Sequence, residues 1–152
     1  LSSIVAPSSC TLEITGDQTV LWRGDTRRDG NIQATEIGWI RYDAVHGELL
    51  FEWVEFPESW SARDREDSDR TCDPDENWAA VRSDYRAAGH LKNRILLDGL
   101  DDVEPALASA ERQAPLDLRR MAWRISWRGA GGVDATTVVT SGIHNHARPE
   151  ET

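Results

Sequence analysis

The sequence predicts an α+β domain, built mostly of antiparallel β-sheet with one main helix. Most segments alternate apolar and polar residues, which is the two-residue period of a β-strand, and short turns join them. Only one stretch, at about 74–88, has the spacing of an amphipathic helix. A chain of 152 residues can bury one core, so residues 1–152 are expected to form a single globular domain.

Two β-hairpins begin the predicted sheet. Residues 10–15 (CTLEIT) and 18–23 (QTVLWR) flank the short turn Gly16-Asp17, and residues 37–43 (IGWIRYD) and 47–56 (GELLFEWVEF) repeat the design. The last of these strands is expected inside the sheet, because one of its faces is apolar and the other is mixed. The apolar face holds Leu49, Phe51 and Trp53, and the mixed face holds Leu50, Glu52 and Val54.

Residues 58–77 (ESWSARDREDSDRTCDPDEN) are acidic and poor in apolar side chains, which predicts an exposed excursion. We call this stretch the acidic segment. At its end Asp73, Pro74 and Glu76 form a capping signal, and Gly89 supplies a stop, so a helix is expected at 74–88. Its apolar stripe consists of Trp78, Val81, Tyr85 and Ala88.

The C-terminal part of the sequence predicts three further strands. Residues 94–100 form a short buried strand, and residues 101–115 form a connection whose two prolines bracket at most a brief helical turn. Residues 118–129 alternate clearly, and residues 133–143 are rich in β-branched side chains. The tail at 144–152 is expected to be frayed.

The charge of the chain restricts its partners. The formal net charge is −10, from 27 acidic and 17 basic side chains. Nucleic acid and anionic membrane surfaces are not expected partners, because both present phosphate groups. The sequence contains no run of 18 apolar residues, and residues 1–7 lack the length and basic start of a signal peptide. Cations or basic partners are favoured.

The stretch from Asp25 to Glu36 matches the pattern of an EF-hand-type calcium loop. Such loops place oxygen ligands at positions 1, 3, 5, 7, 9 and 12 and a glycine at position 6. Gly30 is at the glycine position, but Arg27 at the third position cannot ligate. Two interpretations are therefore open: the loop binds calcium, or it is a degenerate loop of the same shape held by turn hydrogen bonds. The predicted ligands are Asp25, Asp29, Asn31 through its carbonyl, Gln33 and Glu36.

The predicted loop lies between strands, whereas the motif normally lies between helices. We therefore expect a stiff connector rather than a sensor, because no helix pair is present to open and close. Cys10 and Cys72 have no metal-ligand spacing. They are expected either to form a disulfide, which implies an oxidising compartment, or to be separate buried thiols.

Other candidate sites have simpler interpretations. His144 and His146 could bind a metal on one strand face, but a solvated tail explains them as well. The carboxylates at 64–76 fit no loop pattern, so a solvated face is favoured over a second calcium site. Trp60 is the one tryptophan in the acidic segment. No nucleophile–base, zinc or phosphate-loop motif is present, so the sequence favours a protein that is not an enzyme.

Several segments together resemble the globular part of pseudopilins and minor type IV pilin-like proteins of type II secretion. They are residues 19–51 with the phrase IRYD, residues 94–107 (RILLDGLDDVEPAL), and residues 114–150, which resemble the closing antiparallel strands. The resemblance implies a pilin-like domain in which a long N-terminal helix lies across an antiparallel sheet. It also implies a place in a filament of the periplasm, cell envelope or cell exterior.

In such a filament the partners are other pilin-like subunits, and membrane contact occurs only through an N-terminal helix that would precede Leu1. Calcium sites occur in these filaments, and here that role falls on Asp25, Asp29, Asn31, Gln33 and Glu36. The expected function is therefore a non-enzymatic filament subunit stiffened by a calcium loop. The alternative is a secreted, calcium-stabilised module that binds a ligand through the acidic segment and Trp60.

Overall fold

The structure is a computed structural model that describes Ser8 and residues 10–107, 120–128 and 134–142. In these residues the chain forms ten strands, two short helices and one 3-10 turn. In chain order they are β1 (Cys10–Ile14), β2 (Gln18–Trp22), β3 (Ile32–Gln33), the 3-10 turn (Ala34–Glu36), β4 (Ile37–Asp43), β5 (Glu48–Val54), α1 (Ala62–Ser68), β6 (Thr71–Cys72), α2 (Trp78–Ala87), β7 (Leu91–Leu97), β8 (Asp102–Leu107), β9 (Arg120–Arg128) and β10 (Asp134–Gly142).

The strands form three sheets, and every strand pair in them is antiparallel. The central sheet has the order β1-β2-β4-β5-β7, the second sheet has the order β10-β9-β8, and β3 pairs with β6. The prediction of a mostly antiparallel β protein is therefore confirmed. Both predicted hairpins are present, as β1–β2 and β4–β5.

The central sheet is covered on both faces. One face packs with α2 and the β3–β6 ribbon, through a core that includes Trp22, Trp39 and Val81. The other face packs with the second sheet, through a core that includes Leu21, Phe51 and Trp123. Because successive side chains of a strand point to opposite faces, all five residues of β2 are buried.

The predicted fold class, a pilin-like domain with one main helix at 74–88, is wrong. The described residues contain three sheets and two short helices, and α2 begins only at Trp78. Asn77 caps it by accepting a hydrogen bond from the backbone N–H of Ala80. Glu76 is instead held in the preceding turn, where its carboxylate pairs with Arg70 at 2.7 Å. Neither helix is long and apolar enough to span a lipid bilayer.

The acidic segment contains a helix that the sequence pattern did not reveal. Helix α1 has a capping box, in which Ser61 and Asp64 bond reciprocally, and it contains no buried residue. A helix without an apolar stripe gives no periodic signal, which is why only its cap marks it in the sequence. Strand β6 follows and pairs with β3, so main-chain bonds tie the acidic segment to the end of the 25–36 loop.

Two boundaries in the C-terminal half also differ from the predictions. Strand β7 lies earlier in the chain than the predicted strand at 94–100, and it is mostly exposed rather than buried. Strand β8 occupies part of the predicted connection at 101–115. Pro105 is accommodated because β8 is an edge strand of its sheet. Strands β9 and β10 match the predicted strands at 118–129 and 133–143. Residues 1–7, His144, His146 and the predicted tail at 144–152 lie outside the described residues.

Candidate functional site: the 25–36 loop and the acidic segment

The first half of the loop folds around the predicted glycine. Gly30 has φ +77°, a left-handed conformation that suits glycine. The carboxylate of Asp25 accepts hydrogen bonds from the backbone N–H groups of Gly30 at 2.9 Å and Asp29 at 3.1 Å. These bonds, that from Gly30 above all, lower the pKa of Asp25 from its ordinary value. The loop tip is therefore closed by its own first residue.

The second half of the loop turns its predicted ligand inward. Glu36 is only 2% exposed. One of its oxygens accepts from the indole of Trp22 at 3.0 Å and the backbone N–H of Gln33 at 3.3 Å. The other accepts from the Thr26 hydroxyl at 2.7 Å and from the Thr26 backbone N–H. A carboxylate offers about four acceptor sites, so protein donors already fill those of Glu36.

The remaining predicted ligands do not converge on one point with Glu36. The Gln33 side chain is buried and its oxygen accepts from the Thr71 hydroxyl at 3.1 Å. Asn31 bonds to Asp29, both through its backbone N–H and through its amide. Among the described residues, no three His, Cys, Asp or Glu side chains are grouped to hold a metal ion. In this arrangement a bidentate contact from Glu36 would require Thr26 or Trp22 to withdraw, and calcium binding stays a prediction.

One carboxylate of the acidic segment, that of Asp69, contacts the loop. Asp69, 8% exposed, accepts from the guanidinium of Arg27 at 2.7 Å. It also accepts from the backbone N–H and the hydroxyl of Thr35, at 3.0 and 2.7 Å. The positive charge at the third loop position is thus neutralised by Asp69. This contact joins the loop to the segment that follows α1.

A cavity of about 520 Å³ lies between the loop and α1. Arg27 and Asp69 line it on the loop side, and Phe56, Arg65 and Glu66 line it elsewhere. The Nε of Arg65 is buried and has no hydrogen-bond partner in the described part of the chain, although Nη2 of the same side chain donates to the Glu58 carbonyl at 2.6 Å. A buried unpaired donor carries a desolvation cost that an acceptor in the cavity would remove.

An aromatic cluster stands beside this cavity. Trp60 stacks on Phe56 with ring centroids 5.5 Å apart, and His90 meets both rings edge-on, at 4.9 and 5.3 Å. Tyr85 contacts Phe56 at 6.2 Å, and its hydroxyl donates to the Ser68 carbonyl at 2.9 Å. Trp60 is therefore half-buried against the core rather than freely exposed.

The predicted disulfide between Cys10 and Cys72 is wrong, because the two cysteines are not bonded to each other and both are buried thiols. Each is positioned by its own strand pairing, Cys10 opposite Trp22 and Cys72 opposite Ile32, within the same core cluster. Burial raises the pKa of Cys72 to about 11. The thiol of Cys72 behaves as a small apolar residue that also donates to the Arg70 carbonyl at 3.7 Å.

A buried charge cluster leaves almost no signature in the sequence. Glu52 is fully buried and accepts from Arg82 at 2.6 Å, Arg86 at 2.5 Å and Arg41 at 3.4 Å. Arg82 and Arg86 are one helical turn apart on α2, so both reach the same carboxylate. Desolvation lowers the pKa of Arg82, which the nearby Glu52 partly offsets. The only signal of this cluster in the sequence is the polar residue on the mixed face of β5.

No protein-family model matches the chain, and neither a characterised protein nor a solved structure is significantly similar to it.

Proposed function

We propose that the chain is a non-enzymatic structural subunit of a pilus-like or secretion pseudopilus filament of the cell envelope, in which it joins other pilin-like subunits. The observation that carries the proposal is the outer edge of β7. This strand ends the central sheet, and no strand within the described residues pairs with its far edge. Ile95 and Leu97 on it are 54% and 39% exposed.

An edge strand is a ready surface for another protein chain. Its N–H and C=O groups are available for pairing, and soluble proteins usually protect such an edge. Strand addition at a sheet edge is a common mode of protein recognition, in which side chains of the edge give specificity. The apolar side chains of β7 support a subunit whose edge is completed by a neighbour.

The loop supports the same proposal because it makes the domain stiff. Glu36 bonds the end of the loop to β2, and Asp69 bonds it to the acidic segment. A subunit that transmits load gains from connections held by buried charge-assisted hydrogen bonds, which are stronger than neutral ones. In this proposal calcium at the loop would add stiffness, and its contribution is tested separately below.

The test is site-specific crosslinking in the natural host. Ile95→Cys places an exposed thiol on the β7 edge, while both native thiols are buried. Val45→Cys is the matched control, because Val45 is 87% exposed and lies in the turn between β4 and β5. A crosslinker that reacts with a thiol at one end and is photoactivated at the other should join Ile95→Cys, and not Val45→Cys, to a neighbouring pilin-like subunit in a product of two subunits. If both variants remain monomeric after crosslinking, the proposal is refuted.

A second candidate is a secreted module that binds a small ligand, and the cavity beside Phe56 favours it. The unpaired Arg65 Nε would donate to an acceptor of that ligand. Glycan and peptide libraries can be screened for quenching of tryptophan fluorescence. Arg65→Gln should abolish any saturable quenching, whereas Arg63→Gln, 89% exposed on the same helix, should not. If both variants lose the quenching, or if neither the wild-type protein nor the control shows it, this function is rejected.

A further inference from the structure

Two arginines flank a phenylalanine on the face of the central sheet that packs with the second sheet. The guanidinium carbon of Arg23 lies 5.8 Å from the centroid of the Phe51 ring, and that of Arg94 lies 5.6 Å from it. Both distances are within the range of a cation–π interaction. The Phe51 ring lies across Gly38, whose missing side chain makes room for it. Both guanidiniums therefore lie near the same ring.

Lys92 extends this positive surface. Cross-strand partners share a face of the sheet, and β7 places Arg94 opposite Phe51 and Lys92 opposite Trp53. The Trp53 ring in turn stacks on Phe51 at 5.7 Å. We call Arg23, Lys92 and Arg94 the basic patch.

The basic patch has no acidic partner in the described part of the chain. None of its three cations forms an ion pair there, although acidic side chains outnumber basic ones overall. The nearby Glu55 is bonded by the Trp53 indole at 3.1 Å. Burial above all, and the charge of Arg94 in second place, lower the pKa of Arg23.

The acidic segment provides the complementary charge on the opposite side of the molecule. It carries eight acidic and three basic side chains, in a protein whose net charge is −10. Ser68 attaches it to Tyr85 of α2, which packs on the other face of the central sheet. Glu66 and Asp67 of α1 are exposed. Because the sheet separates the two charged surfaces, they cannot neutralise each other within one copy.

We propose that the basic patch of one copy binds the acidic segment of a second copy. The contact is head-to-tail, because each copy offers a different surface to each neighbour, and such contacts extend into open filaments unless they close into a ring. Carboxylates from α1 would lie between the two guanidiniums and relieve their repulsion. This inference rests on the proposed function, and it assigns the surfaces that identical subunits would use.

The experiment is sedimentation velocity of the full chain in low and high salt. Wild type should form concentration-dependent oligomers at about 20 mM salt that dissociate at about 500 mM, because screening weakens exposed charge contacts. Arg94→Glu alone should be monomeric, and so should the double variant Glu66→Lys, Asp67→Lys. Arg124→Glu is the matched control, since Arg124 is an exposed arginine of the second sheet whose partner is Glu104. It should assemble like wild type.

Mixing the two monomeric proteins tests the direction of the contact. The Arg94→Glu chain keeps its acidic segment and the double variant keeps its basic patch, so an equimolar mixture should give a one-to-one dimer and nothing larger. Circular dichroism should show that all variants are folded. A monomeric wild type at low salt, or assembly unaffected by Arg94→Glu, overturns the inference. If Ile95→Cys still crosslinks in an Arg94→Glu background, the filament proposal stands and only this contact fails.

Discussion

Trp22 donates its indole N–H to a carboxylate oxygen of Glu36 across 3.0 Å, and both side chains are almost completely buried. The backbone N–H of Arg23 donates to the Glu36 carbonyl at 2.8 Å beside it. The two ends of the loop are thus joined by side-chain and main-chain bonds at once. This explains how an EF-hand-like sequence can connect two strands without flanking helices.

Glu36→Gln should destabilise the protein. An amide has one acceptor oxygen, so its NH₂ group would face donors that the carboxylate now accepts from. Loss of charge-assisted bonds and burial of unpaired donors should together cost about 3 kcal/mol of unfolding free energy. Urea denaturation measures this, with Glu58→Gln as the control, because Glu58 is exposed. Equal midpoints for the two variants would show that the Glu36 bonds contribute nothing.

Calcium binding at the loop is tested by Asp25→Ala. If the ion binds the folded state, calcium should raise the melting temperature of the wild-type protein above its value in chelator. Asp25→Ala should remove that increase. A wild-type melting temperature that is the same in calcium and in chelator would exclude the ion and leave a loop held by its own hydrogen bonds.

Glu52→Gln should be among the most destabilising substitutions in the protein. It would leave three guanidiniums around a neutral, fully buried side chain, and breaking a buried ion pair in this way costs about 3–5 kcal/mol. Glu104→Gln is the control, because the Glu104–Arg124 pair is exposed and should be worth less than about 1 kcal/mol. Chemical denaturation separates the two, and a loss no greater than that of the control would contradict the prediction.

Cys72 should make stability fall in alkaline solution. Its pKa is raised to about 11 in the folded state, so the unfolded chain loses this proton first, from an ordinary value of about 9. The contribution of the protonated Cys72 thiol to folding stability is therefore complete below pH 9, and it is lost as the pH rises towards 11. The pKa of Tyr85 is also raised by burial and acts in the same direction. Cys72→Ala should flatten the fall measured by denaturation between these pH values, and an unchanged slope would count against it.

Gly38→Ala should lower stability through a steric clash. An added Cβ would lie 2.6 Å from the Phe51 ring, which is closer than packed carbon atoms approach. Overpacking of this kind costs about 1–3 kcal/mol. Gly16→Ala is the matched control, because a Cβ added at Gly16 would meet nothing within 4 Å among the described residues. Thermal denaturation of the pair should separate them, and a neutral Gly38→Ala would mean that the Phe51 ring moves freely.

Local sequence patterns are sufficient to predict those elements whose structure is decided by neighbouring residues. The alternation in β2, β4, β5 and β9 is visible in the sequence because the period of two belongs to the strand itself, and β10 is marked by its β-branched residues. The turn at Gly30 is predictable because the backbone N–H groups that donate to Asp25 lie within five residues of it. Strand β8 was not predicted because it contains Pro105, and a proline is acceptable there only because the strand lies at a sheet edge.

The sequence by itself therefore determined that this is an antiparallel β protein with a tight loop at 25–36 and an exposed acidic segment. Only the tertiary structure decided which partner each polar side chain found. Arg86 reaches Glu52 from 34 positions away, and Asp69 reaches Arg27 from 42 positions away. The physical reason is that strand and turn preferences act between neighbours along the chain. The bonds that hold Glu36, Glu52 and Asp69 form only when distant segments pack against each other.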